Sequence, residues 1–258
     1  MSRYAMSSLV AFGLLVASTA HADPVSDLHN TLSRLRADQP LAATASVSST
    51  GHDSDDAART THAQVQISVT SGAAGLQMGF SPALLQRSAQ EAAMHAKNKD
   101  APTPIADLLG KLSPVNVQPM LDFAPELQHK LDGATLSSQR DEVHAGKPAH
   151  LLVFDVPLPP SASKQMTIRH YTGQVSVWLG GDGVPVAVTE MMDIKARKML
   201  LGIEFGSSTS YELRAIGTRL VVMSRHTRES HSVFGSEGSS TIDVALTPVA
   251  AGSPKPSA

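Results

Sequence analysis

The sequence predicts an α+β protein: a curved antiparallel β-sheet, in the form of a half-barrel meander, covered on its apolar face by an N-terminal helix and a mid-chain helical insertion. Three observations carry this expectation. Gln174-Val175-Ser176-Val177-Trp178-Leu179 alternates apolar with polar, meets Gly180-Gly181-Asp182-Gly183, and resumes as Val184-Pro185-Val186-Ala187-Val188. Strand side chains change face at every residue, so this is the pattern of a β-hairpin. Further strand-like stretches follow with short breaks, and parallel neighbours would need crossover helices, so the sheet should be antiparallel. Between them, residues 82–132 switch to stripes three and four apart, opened by Ser81-Pro82 and Thr103-Pro104.

Met1 to Ala22 has Arg3, an apolar run from Leu9 to Ala17 and Ala20-His21-Ala22, the layout of a secretory signal peptide cut before Asp23. The run is shorter than the roughly 20 residues a membrane anchor needs, so no transmembrane segment is expected after cleavage. Cysteine is absent, which excludes a lipobox and disulfides and suits a bacterial periplasm. Asp23-Pro24 then opens a helix whose Val25, Leu28, Leu32 and Leu35 share one stripe. Leu41 to Thr50 reads as a strand and Gly51 to Arg59 as a polar loop. Its Asp53, Asp55 and Asp56 lack the closing glutamate of a calcium loop. Ala63, Val65, Ile67 and Val69 face one way on the next strand, and Leu76, Met78 and Phe80 continue the alternation.

In the helical block, Ile105, Leu108, Leu109 and Leu112 share a face, Gln118-Pro119 starts a short turn, and Pro125 starts another that Gly133 stops. Such short helices cannot build a core of their own, so they should dock on the sheet as a lid that opens more readily than the strands. Strands return at Ala134–His144 and Ala149–Val156 around a turn at Ala145-Gly146-Lys147-Pro148, and Ser161–Arg169 reads as a loop. Met199, Leu201, Ile203 and Phe205 follow on one face, then Tyr211, Leu213 and Ala215, then Leu220–Ser224, then Ile242, Val244 and Leu246. Residues 23–247 are expected as a single domain with the insertion at 82–132, and 248–258 as a disordered tail.

The net charge is −2, and losing Arg3 leaves 20 basic against 23 acidic residues, with no cluster to track a phosphate backbone. Nucleic acid is not an expected partner. No nucleophile elbow appears. Ser161 and Lys164 have Ser-x-x-Lys spacing, but in a proline-rich loop, and Asp141 and Glu142 point apart on a strand. His226 and His231, five apart with a loop-like Arg-Glu-Ser segment between, match no zinc spacing. His144 and His150 could face each other across a hairpin but lack a third ligand. No enzyme activity, cofactor or metal is therefore expected. The eight methionines after the leader suit irregular core filling, and 4% aromatic content lacks the girdles of a membrane barrel.

The order of helix, three strands, helical insertion and meander resembles the periplasmic lipoprotein-carrier (LolA-like) superfamily, which includes the N-terminal domain of the sigma-factor regulator RseB. The local signature is Trp178, then Asp182-Gly183, then Val184-Pro185. The resemblance implies a soluble periplasmic carrier or envelope sensor that buries lipid or lipoprotein acyl chains between sheet and lid. Cross-strand register groups Val175, Val177, Val186, Val188, Met192, Leu201, Ile203, Phe205 and Leu213 on one inner surface as the ligand-binding face, with Gln174, Ser176 and Thr189 outside. The alternative expectation is a non-catalytic periplasmic interaction module with a closed core, whose surface binds an envelope protein.

Overall fold

The computed structural model describes residues 23–53, 60–158, 167–198, 201–233 and 236–249. The leader, Asp55 and Asp56, the Ser161/Lys164 spacing and the tail beyond residue 249 lie outside them. In chain order the elements are α1 (Pro24–Arg34), β1 (Leu41–Asp53), β2 (Thr60–Gly72) and β3 (Gly75–Gly79). Next come α2 (Pro82–Lys97), α3 (Pro104–Lys111), α4 (Pro114–Leu121) and α5 (Phe123–Leu131). The rest are β4 (Thr135–His144), β5 (Lys147–Asp155), β6 (Thr167–Leu179), β7 (Pro185–Lys198), β8 (Leu201–Ile216), β9 (Arg219–Val233) and β10 (Ser236–Pro248).

Local chemistry explains the starts and stops. Asp23 accepts the Val25 N–H and Ser81 the Leu84 N–H, each ahead of a first-turn proline that has no amide hydrogen to leave unpaired. Ala145 and Gly146 both have positive φ, 47° and 77°, which gives the β4–β5 hairpin a two-residue turn whose twist matches its strands. Strand β5 therefore starts at Lys147, inside the four-residue turn read from the sequence. Pro119 lies within α4 rather than opening a turn, because Ser113-Pro114 starts that helix earlier. Thr167–Arg169 belong to β6, and Arg228-Glu229-Ser230 continue β9 as strand rather than loop. Gly51–Asp53 likewise extend β1. Those segments are polar on both faces, and paired neighbours rather than local pattern make them strands.

All ten strands form one antiparallel sheet, ordered β3-β2-β1-β10-β9-β8-β7-β6-β5-β4 and not closed into a barrel. Strands β4 to β10 run as a meander, and β1 pairs with β10. The helices connect the two edge strands, β3 and β4, which a flat sheet would hold about 43 Å apart at nine spacings of about 4.8 Å. Crossing the apolar face brings α3 onto β2, α4 onto β9 and β3, and α5 onto β9, while α1 packs on α5. Leu28, Leu32, Ile105, Leu108, Leu121, Phe123 and Leu127 bury here with Val47, Val65, Ile67, Val177, Val188 and Val244 in one core. The opposite face is mostly Ser, Thr, Gln and charged residues, with one exception. Strand β5 is buried on both sides, since Ala149, Leu151 and Val153 face away from the helices, beside Trp178. There the Trp178 indole donates to Glu142, and the His144 ring lies against it at 5.1 Å.

Candidate functional site: a polar seam on the helix-covered face

The register arranges the helix-facing residues in rows across the sheet. One row is Val177, Val188, Tyr211, Arg225, Val244, Val47 and Val65. The next carries Val175, Glu190, Thr209, Thr227 and Ile242, and the third Gly173, Met192, Ser207, Glu229 and Ser240. A fourth runs Tyr171, Ile194, Phe205, His231 and Gly238. The first two rows lead into the core, whereas Met192, Ile194, Phe205 and Ile203 are only half-buried. The face therefore splits into a packed part and a more open apolar strip on β7 and β8.

A charged cluster sits at that boundary. Lys130 of α5 donates to Glu190 of β7 at 3.1 Å and approaches Glu126, one helical turn earlier, at 3.2 Å. The Tyr211 hydroxyl faces Glu190 from the neighbouring strand, close enough for the two groups to act on each other electrostatically, and the Phe123 ring of α5 lies 4.7 Å from that of Tyr211. Burial pushes the Glu190 carboxyl up, and the Lys130 charge only partly offsets this. For Lys130, burial opposes the charged form but the two carboxylates outweigh it, so its pKa is raised. Burial, reinforced by Glu190, pushes the Tyr211 hydroxyl far up, so it stays a donor. Glu190 Oε1 is buried with no hydrogen-bond partner among the described residues. Thr209 donates to Thr227 at 3.2 Å in the same row.

The nine residues expected to bind ligand divide accordingly. Val175, Val177, Val188 and Leu213 are buried in the core cluster, with Val177 and Val188 at 0% exposure, so they are sealed beneath the helices. Met192, Ile203 and Phe205 lie on the same face along the more open strip. Val186 falls at the register shift where Trp178 faces Ala187 and Leu179 faces Pro185, and it is outside the core cluster. A bulge there breaks the alternation that placed it with Val188. The Leu201 side chain lies outside the described residues. Gln174, Ser176 and Thr189 alternate with the buried positions and face away from the helices.

His144 and His150 do not meet, since they lie on opposite sides of the hairpin. His144 pairs with Glu212 at 3.4 Å, and His150 with Asp141. No group of three or more metal-ligating residues occurs among the described residues, and none of the described helices is long and apolar enough to cross a membrane. Two clefts of about 400 and 330 Å³ are lined mainly by polar residues of the face away from the helices, such as Asp193, Glu204, Ser230 and Glu237 in the larger and Gln64, His226 and Asp243 in the smaller. No protein family, curated protein or solved structure matches this chain.

The sequence reading missed the seam, although Glu190 signals it. In Val186, Val188, Glu190, Met192 a carboxylate occupies an inward position of an apolar series. Arg225 gave no such signal, because a bulge beside Met223 hides which face the residues after it occupy.

Proposed function

We propose that the helix-covered face of the sheet binds an amphiphile, as a non-enzymatic periplasmic carrier or sensor of lipid or lipoprotein acyl chains. The supporting observation is the junction of the Lys130–Glu190–Tyr211 seam with the apolar strip of Met192, Ile194, Ile203 and Phe205. A polar cluster next to a more open apolar strip suits a molecule with a head and a chain, and such convergent polar groups beside apolar surface are how binding sites combine affinity with orientation. The chain would lie along the strip, and a shift of α5 would admit it beneath the helices.

The tight burial of Val177, Val188 and Leu127 supports a second reading, a closed module that binds an envelope protein through its surface. Mass spectrometry of an organic extract of the purified protein separates the two. The carrier reading expects a copurified amphiphile in wild type and its loss in Phe205→Glu, which puts a charge on the strip without touching the packed core. A Phe205→Glu extract matching wild type, or no amphiphile in either, favours the closed module.

A further inference from the structure

We infer that Arg225 is an anion site that recognises the phosphate or carboxylate head of the bound amphiphile, an assignment that rests on the reading above. Its row is otherwise Val177, Val188, Tyr211, Val244, Val47 and Val65, so a guanidinium is the one charge in an apolar line. Arg225 Nε is buried and has no hydrogen-bond partner among the described residues. Two other cations beneath the helices are paired. Lys130 holds two carboxylates, and Arg219 holds Ser71 and three backbone carbonyls.

Neither acid of the next two rows bonds to Arg225 Nε. Glu190 is held through Oε2 by Lys130, and Glu229 lies four residues along β9, where it accepts from Ser240. A buried guanidinium N–H left unpaired is costly, because it loses water without gaining an acceptor. An anion would satisfy it through short, charge-assisted bonds. Arg225 also stands at the right separation from the strip. Three rows at about 6.6 Å each place Phe205 roughly 20 Å farther along the strands, within reach of a long acyl chain whose head rests on Arg225.

Calorimetric titration of the full chain with dodecyl phosphate, dodecyl maltoside and inorganic phosphate tests the assignment. Wild type should bind dodecyl phosphate at least tenfold more tightly than dodecyl maltoside. Arg225→Met should erase that preference while keeping the maltoside affinity, and Arg225→Lys should retain part of it. Arg225→Gln serves the same purpose should the methionine variant not fold. Equal affinity for the two amphiphiles in wild type, or a preference that survives in Arg225→Met, overturns the anion site but leaves the amphiphile reading standing. If neither amphiphile binds, both fall. Inorganic phosphate binding as tightly as dodecyl phosphate overturns the assignment to a head group.

Discussion

Arg219 is 2% exposed, and its planar fork closes a junction no local pattern foretells. Nε donates to the Gln39 carbonyl at 2.7 Å, Nη1 to Ser71 Oγ and the Leu121 carbonyl, and Nη2 to the Ala37 carbonyl. It thus ties the α1–β1 connection, the end of β2 and the end of α4 to the start of β9. Removing it leaves several acceptors without a donor, so Arg219→Ala should destabilise the fold by about 3 kcal/mol or more in urea unfolding. Arg219→Lys should recover only part, because an ammonium cannot reproduce the fork. Lys130 gives a pH signature. Its pKa is raised in the fold, so its contribution is complete below the ordinary lysine value of about 10.4 and is lost as pH rises through the folded value. Unfolding free energies measured from pH 8 to pH 11 should fall more steeply for wild type than for the Glu190→Gln/Lys130→Met double variant. Parallel curves would show that the pair carries no such linkage.

Among the elements, α3 depends on a distant carboxylate. Glu91 of α2 accepts the Ile105 and Ala106 N–H groups at 2.8 and 3.0 Å, capping a helix whose own Thr103 makes no capping bond. First-turn amides otherwise lack partners, and a negative charge there also meets the favourable end of the helix dipole. Glu91→Ala should therefore cost about 1 kcal/mol and speed amide exchange in residues 104–111 more than in β6. Unchanged exchange would remove this role. The contrast shows which parts of an element are legible. Proline pairs and stripes located α2 and α3 because those signals are local, whereas the start of α4 was masked by Pro119, a stronger signal standing inside the helix. The Glu91 cap spans 14 positions and depends on how two helices lie together, which no window of sequence contains.

Across the whole molecule, alternation located the strands near the helices, where one side is buried: Ala63 to Val69 and Val175 to Leu179. It failed over 226–233 and 236–240, where both faces are polar and strand form comes from pairing with neighbours far along the chain. The order of the sheet was beyond reach for the same reason, since the β1–β10 ladder joins Ala43 to Pro248 and Asp53 to Gly238. That ladder has a consequence for how the molecule comes into being. The first and last strands lie side by side inside the sheet, so β1 to β3 and β4 to β9 can each pair within themselves but cannot be joined through the sheet until β10 exists. A chain delivered from its N-terminus must hold a half-made sheet with two open inner edges until its final segment emerges, and contacts so distant in sequence form slowly. Whatever shields those edges in the interval, a chaperone or speed of delivery, guards the protein at its most adhesive moment.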